Sequence, residues 1–219
     1  MIVTIDGPAG AGKSSVARTL AQRLGFHFLD TGAMYRAVAL AGLRAKVDWQ
    51  RPEQLAELAR GLRLEVQDSH ILLDGEDVSQ EIRTSEVTAV TRYAADNPQV
   101  REHLVQQQRA IASGKPIVTE GRDQGSVVFP DAACKIFLTA SPEERARRRL
   151  RDLRAQGEQA KLEEVLAAQQ ARDRQDAARA VGPLVPAPDA VEVCTDGLSF
   201  EQVVERLEAL VRQRGSAAT

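Results

Sequence analysis

The sequence predicts an α/β fold, a doubly wound parallel sheet of about five strands. Two observations predict it. Residues Gly7-Pro8-Ala9-Gly10-Ala11-Gly12-Lys13-Ser14 spell G-x-x-x-x-G-K-[ST], with the apolar run Ile2-Val3-Thr4-Ile5 before them. A helical pattern follows, with Val16, Leu20 and Leu24 on one face. Strand, glycine-rich loop and helix are the context in which this motif, the P-loop, cradles phosphate. The second observation is alternation. Strand candidates at 2–6, 27–29, 116–120, 134–139 and 190–194 are mostly separated by helical patterns, the signature of a parallel sheet with crossover helices.

The first element carries the first chemistry. Three glycines let the loop wrap an anion closely, so that backbone N–H groups face phosphate oxygens. Lys13 supplies a positive charge for the β and γ phosphates, and the Ser14 hydroxyl is a ligand for Mg²⁺. Ser15 completes the expected ATP-binding segment, Gly7 to Ser15. A nucleoside triphosphate is the expected ligand.

After the second strand comes Asp30-Thr31-Gly32-Ala33-Met34-Tyr35-Arg36. Thr31 can cap the next helix, and Arg36 projects about a turn and a half later, where its planar fork can grip a phosphate. Residues 62–79 break the alternation. Leu62–Val66 and Ile71–Leu73 read as short antiparallel strands, with Asp74-Gly75 as the turn into Glu76-Asp77-Val78. Helices are expected at about 85–95 and 98–113. Trp49 reads as structural. The histidines, His27, His70 and His103, are scattered and suggest neither a triad nor a metal site.

The strand Pro116–Glu120 runs into Gly121-Arg122-Asp123-Gln124-Gly125. Ligands in open α/β sheets bind beyond the carboxyl ends of strands, which makes this charged pair a site candidate beside the alternative of an ordinary polar loop. The next helix opens with Ser141-Pro142-Glu143-Glu144, a capping box with Pro at the first helical position. It carries six arginines between 143 and 154: Arg145, Arg147, Arg148, Arg149, Arg151 and Arg154. These can form a solvated basic helix, a nucleic-acid contact, or a lid over polyphosphate. Arg172, Asp176 and Arg179 fall on one helical stripe, either as a surface ion pair or as readers of a sugar phosphate. Residues 182–188 read as a rigid connector. The last helix opens with Ser199 and Gln202 and is expected to bury Phe200, Val203, Val204, Leu207, Leu210 and Val211, with a frayed tail from Gly215 to Thr219.

At 219 residues and a formal net charge of −2, the chain can bury a sizeable core, and no global basic field argues for nucleic acid. Cys134 and Cys194 lack metal or secreted-disulfide spacing and read as buried thiols. The second residue already begins a strand, so no signal peptide is expected, and no apolar run approaches membrane-spanning length. The simplest location is cytoplasmic.

Together these motifs resemble the bacterial cytidylate kinases. The likeness runs in order through Ile5-Asp6-Gly7-Pro8 and the P-loop, Leu29 to Arg36, Gly75 to Arg83, Gly121-Arg122-Asp123 with Val127 to Ala132, Arg172 to Arg179, and Pro183 to Ala187. The resemblance implies transfer of the ATP γ-phosphoryl group to CMP or dCMP with Mg²⁺; a monomer with no nucleic-acid or membrane partner is expected. It implies a P-loop core (1–36, 114–145 and 180–219), a nucleoside-monophosphate-binding lobe with a small β insert (37–113), and an arginine-rich lid with its following helix (146–179). By motif position, Arg36, Arg122, Arg172 and Arg179 hold the acceptor phosphate and nearby sugar. Asp176 reaches the ribose, and Thr91, Arg101 and Asp123 face the cytosine. Thr31 joins this CMP set. Lys13, Arg122, Arg179 and the lid pair Arg148 and Arg149 form the catalytic group. Gln124 stands where the family often has Met. Other readings of the motifs are a different P-loop small-molecule kinase, of adenylate or shikimate kinase type, and a non-catalytic nucleotide-binding regulator. A guanine-reading N-K-x-D motif of a switch GTPase is not found.

Overall fold

The computed structural model describes residues 1–67, 70–155 and 157–216. Residues 217–219, the end of the tail expected to fray, lie outside them, whereas Gly215 belongs to the last helix.

Five strands form the main sheet: β1 (Ile2–Asp6), β2 (His27–Asp30), β6 (Ile117–Glu120), β7 (Cys134–Thr139) and β8 (Val191–Cys194), in the order β2-β6-β1-β7-β8. β1 is parallel to both β6 and β7, with Ile5 opposite Glu120 and Ile136, and β7 is parallel to β8. A central strand with both faces covered reads as a near-continuous apolar run. Val3, Thr4 and Ile5 are accordingly fully buried. The edge strand β8 obeys a weaker rule. Val193 is buried but Cys194 at its end is exposed, which corrects the expectation of two buried thiols; Cys134, on the inner strand β7, is buried.

The chain divides into two compact units, residues 1–26 with 116–219, and residues 27–115. In the larger unit α1 (Lys13–Leu24) ends at Gly25, whose left-handed backbone returns its N–H to the helix's last carbonyls. α6 (Pro142–Ala155) and α7 (Leu162–Ala177) pack together through Ala146, Leu150, Leu153 and Val165. The capping box of α6 is half formed. Glu144 N–H donates to Ser141 Oγ, but Ser141 N–H goes to Asp196, and Glu144 turns to Arg148. The box of α8 (Phe200–Ser216) is complete, through Ser199 and Gln202. Its buried stripe is Val203, Val204, Leu207 and Val211. Phe200, in the first turn, is exposed and Leu210, on the flank, is half-buried, so the stripe is narrower than expected.

In the smaller unit Asp30, not Thr31, caps α2 (Thr31–Arg44); its carboxylate accepts the Ala33 N–H at 2.9 Å, and Thr31 is the first helical residue. The carboxylate is the stronger acceptor at a helix N-terminus. α3 (Pro52–Gly61) was not signalled by the sequence pattern, because its buried positions, Leu55, Ala56 and Ala59, are mostly small. β3 (Leu64–Val66), β4 (Ile71–Leu73) and β5 (Glu76–Asp77) form the expected antiparallel insert. α4 (Ser85–Ala95) and α5 (Pro98–Ala112) start at Thr84 and Asn97, whose side chains cap them. The Trp49 ring stacks on Tyr93 at 5.1 Å and lies where a Cβ on Gly42 would collide with it.

This contact makes Trp49 a packing residue. Trp49→Ala should lower stability by about 2 kcal/mol while leaving at the parent level the KM values for ATP and CMP, the substrates that the resemblance implies. Paired urea melts and steady-state kinetics check this; a KM change without a stability change would give Trp49 a ligand role.

Candidate functional site

The P-loop turns directly out of β1. Gly7 has φ 144°, and a Cβ there would sit 2.0 Å from the Leu138 carbonyl oxygen, so only glycine allows the loop to leave the sheet at this point. Gly10 and Gly12 also take positive φ. Gly12 caps α1, which places the P-loop at that helix's N-terminus. Pro8 is buried, Ala9 half-buried, Ala11 buried, and Ser15 exposed in the first turn of α1.

Lys13 is buried and donates to the Pro8 carbonyl at 2.8 Å. Burial, and then the nearby positive charge of Arg122, push its pKa down to about 7, against Glu120 and Asp6, which favour the charged form; Arg172 adds to the positive side. An anion such as phosphate beside this buried ammonium would favour its charged form. Ser14 Oγ donates to Glu120 Oε1 at 2.6 Å. Glu120 was not singled out in the sequence. Its position at the end of a strand beside β1 was the available signal, and the pairing of Ile5 with Glu120 places it there.

The charged pair after β6 is fixed from two sides. Arg122 donates through Nε to Asp176 at 3.0 Å and through Nη1 to the Gly121 carbonyl. Asp123, buried, begins a π-helical turn over Gln124–Val128. Gln124 and Gly125 donate their N–H groups to the Asp6 carboxylate at 2.8 and 2.7 Å. The Gln124 side chain is buried and accepts from Thr119 Oγ1 at 2.9 Å, a bond that a methionine could not make.

Asp176 binds two arginines. It pairs with Arg179 at 2.6 Å as well as with Arg122, and only 2% of it is exposed. α7 ends at Ala177, so Arg179 lies past the helix and reaches Asp176 from the following turn, not from the expected helical stripe. Arg172 is half-buried in α7, and burial together with Arg122 lowers its pKa. The structure thus brings Arg122, Asp176 and Arg179 into direct contact, with Arg172 and Lys13 within their electrostatic reach.

The six arginines of α6 divide by burial. Arg145 is the buried one, a distinction that composition alone did not reveal. It donates to the Ala9 carbonyl of the P-loop at 3.0 Å and to Ala140, and pairs with Asp173 of α7 at 2.7 Å. Arg148 is held by Glu144 and by the hydroxyl and carbonyl of Thr195, with Nη1 3.9 Å from where a Cβ on Gly12 would be. Arg149 is exposed.

The smaller unit has its own set. Arg36 donates to the Ile82 carbonyl and to Thr88 Oγ1 at 2.8 Å. Thr31, the first residue of the same helix α2, is buried. Thr91 is buried and its hydroxyl donates to Val87 within α4 at 2.7 Å, so toward a ligand it presents an acceptor. Arg101 is 3% exposed, donates to the Ala95 carbonyl at 3.4 Å and lies over the Tyr35 ring at 5.7 Å.

A family model described as cytidylate kinase matches residues 3–213. The chain belongs to the cytidylate kinase family. A cytidylate kinase of Rhodopirellula baltica is 57% identical over 97% of this chain and 93% of its own length. One of Pelotomaculum thermopropionicum is 50% identical over 95% of each. Among solved structures, an uncharacterized protein of Eubacterium ventriosum aligns over 97% of this chain and 98% of its own, with a TM-score of 0.51 and 12% identity, a likeness of fold alone. Cytidylate kinase membership places this parallel sheet and its P-loop among the phosphotransferases. Among the described residues no helix is long and apolar enough to cross a membrane.

The carboxylate of Asp6 makes the site's electrostatics measurable in stability. Burial raises its pKa from 3.8 to about 6, Asp123 pushes it further in the same direction, and the two N–H bonds and Lys13 oppose the rise. The native chain therefore holds this proton more tightly than the unfolded chain. The contribution to stability is fully present below pH 3.8 and is lost as pH rises through about 6. Asp6→Asn has no such ionisation, so its stability relative to the parent should improve between pH 5 and pH 7. Urea midpoints at the two pH values check the sign; a relative loss for the variant would contradict it.

Proposed function

We propose that this chain transfers the γ-phosphoryl group of ATP to CMP or dCMP, giving ADP and CDP or dCDP, with Mg²⁺ as the metal. The observation that carries the proposal is the cation cluster at the P-loop. Lys13 lies within electrostatic reach of Arg122 and Arg172, and Arg122 shares Asp176 with Arg179. Phosphoryl transfer needs positioning and positive charge more than covalent help from protein. The P-loop N–H groups and Lys13 would hold the donor phosphates, while Arg122, Arg172 and Arg179, with Arg36 of the smaller unit, would neutralise the acceptor. Direct transfer then requires no phosphoenzyme.

The metal fits the residues present. Ser14 Oγ, with its proton directed to Glu120, offers lone pairs, and hydroxyl and carboxylate oxygens are hard donors suited to Mg²⁺. When bound, the ion would offset phosphate charge. Ser14 would ligate it, and Glu120 would orient that hydroxyl.

Base reading is assigned to Asp123, Thr91 and Arg101. Cytosine presents an amino donor at N4 with acceptors at N3 and O2, whereas uracil has an acceptor at O4 and a donor at N3. Asp123 and the acceptor face of Thr91 suit the N4 amino group, and Arg101 can donate to N3 or O2. A charged hydrogen bond gained or lost is worth roughly 1.5–3 kcal/mol, about 10- to 150-fold per contact. Asp176 would accept from a sugar hydroxyl once its arginines turn to phosphate. Arg148 and Arg149 of α6 would complete the lid, whose closure excludes water from the transferring group.

ADP formation from Mg-ATP, measured with CMP, dCMP, UMP, AMP and shikimate in turn, should be fastest by kcat/KM with CMP or dCMP. A preference for AMP or shikimate would place the chain with another acceptor. Lys13→Ala should remove most activity with the fold intact, and Arg122→Lys should lose at least about tenfold in kcat/KM, since a point charge cannot reproduce the fork. Asp123→Asn should narrow the CMP/UMP ratio chiefly by lowering CMP activity. Variants that kept parental rates and ratios would move these roles to other residues.

A further inference from the structure

Asp6 is the last residue of β1, one position before the P-loop begins. Its carboxylate is 4% exposed and accepts the N–H groups of Gln124 and Gly125, the first two residues of the turn that follows Arg122 and Asp123. The first N–H groups of a helical turn have no partner within it and need an acceptor from elsewhere. The side chain of Asp123, at the position preceding the turn, makes no capping bond to it. Asp6 supplies the cap from another strand. The packing leaves no slack: a Cβ on Gly125 would lie 2.8 Å from Thr4 Oγ1 and 3.2 Å from the Lys135 side chain.

We propose that Asp6 is a positioning residue that locks the Arg122–Asp123 loop to the strand carrying the P-loop. One carboxylate thereby sets the acceptor-binding loop in register with the donor-phosphate cradle. The proposal rests on the reading that Arg122 and Asp123 hold CMP. The charges acting on Asp6 are Asp123, from the loop it caps, and Lys13, from α1. Keeping an ionised carboxylate in this buried place is unfavourable for the fold, as its raised pKa of about 6 records. Both N–H groups require acceptors, and an ionised carboxylate supplies two oxygens where an amide supplies one.

Asp6→Asn and Asp6→Glu test this beside Asp123→Asn, with a thermal melt on each. The expected result for Asp6→Asn is a KM for CMP raised roughly 10- to 100-fold, a KM for ATP close to the parent's, a narrowed CMP/UMP ratio of kcat/KM, and a single cooperative melt that shows the variant folded. Asp6→Glu, with its carboxylate carried on a longer arm, should shift the same two CMP readouts. Folded variants with parental KM for CMP and parental CMP/UMP ratio would overturn the proposal. So would failure of both variants to fold, which would make the carboxylate a folding element. If Asp123→Asn keeps the CMP/UMP ratio while Asp6→Asn raises the KM for CMP, the base-reading role of Asp123 fails and the positioning role of Asp6 stands.

Discussion

The larger unit is organised around positive charge that burial makes costly. Lys13 is buried with Arg122 and Arg172 acting on it, and its pKa is lowered to about 7 as a result. Such a cluster survives only because carboxylates are built in beside it. Glu120 and Asp6 act on Lys13, and Asp176 holds Arg122 and Arg179 together. For Lys13 the compensation is incomplete, since its pKa is lowered despite Glu120 and Asp6, and a phosphate would favour its charged form. Buried, perturbed charge of this kind costs local stability and is characteristic of a functional site.

The secondary structure exists to bring those groups to one end of the sheet. Parallel strands deliver Asp6 and Glu120 at their carboxyl ends from neighbouring positions. Gly7 lets the chain turn there without striking Leu138. Arg145 then ties the P-loop carbonyl of Ala9 to Asp173, in the same helix that carries Arg172 and Asp176. A buried guanidinium with one carboxylate and two carbonyls is a rigid joint, since losing any partner leaves charge uncompensated. The donor cradle and the arginine-bearing helix are therefore held in fixed register within this unit.

Much of this was legible in the sequence, for identifiable reasons. Apolar runs bounded by glycine or charge gave the five strands, and the P-loop spacing gave the cradle, because both are local patterns. Cap identity was less legible: Asp30 and Thr31 are adjacent candidates, and the helix start decides between them. Helix α3 escaped because alanines carry little periodic signal. The roles of Glu120, Arg145 and Asp6 depend on partners 106, 136 and 118 residues away, and no spacing rule spans such separations. Among the six arginines of α6, composition could not separate the buried Arg145 from the exposed Arg149. Cys194 and Phe200 are exposed although the apolar pattern predicts burial, because an apolar residue at the end of an element lies beyond the surface that covers its neighbours.

The claim that these cations serve phosphoryl transfer between two nucleotides, and not hydrolysis, is tested most directly by following the phosphoryl group itself. ATP labelled with ¹⁸O in its γ-phosphoryl group, incubated with the protein, Mg²⁺ and CMP, and read by ³¹P NMR, should place the label in the β-phosphoryl group of CDP as ADP forms, with no labelled inorganic phosphate beyond the background. Label released as inorganic phosphate in the presence of CMP, with no labelled CDP, would contradict the account.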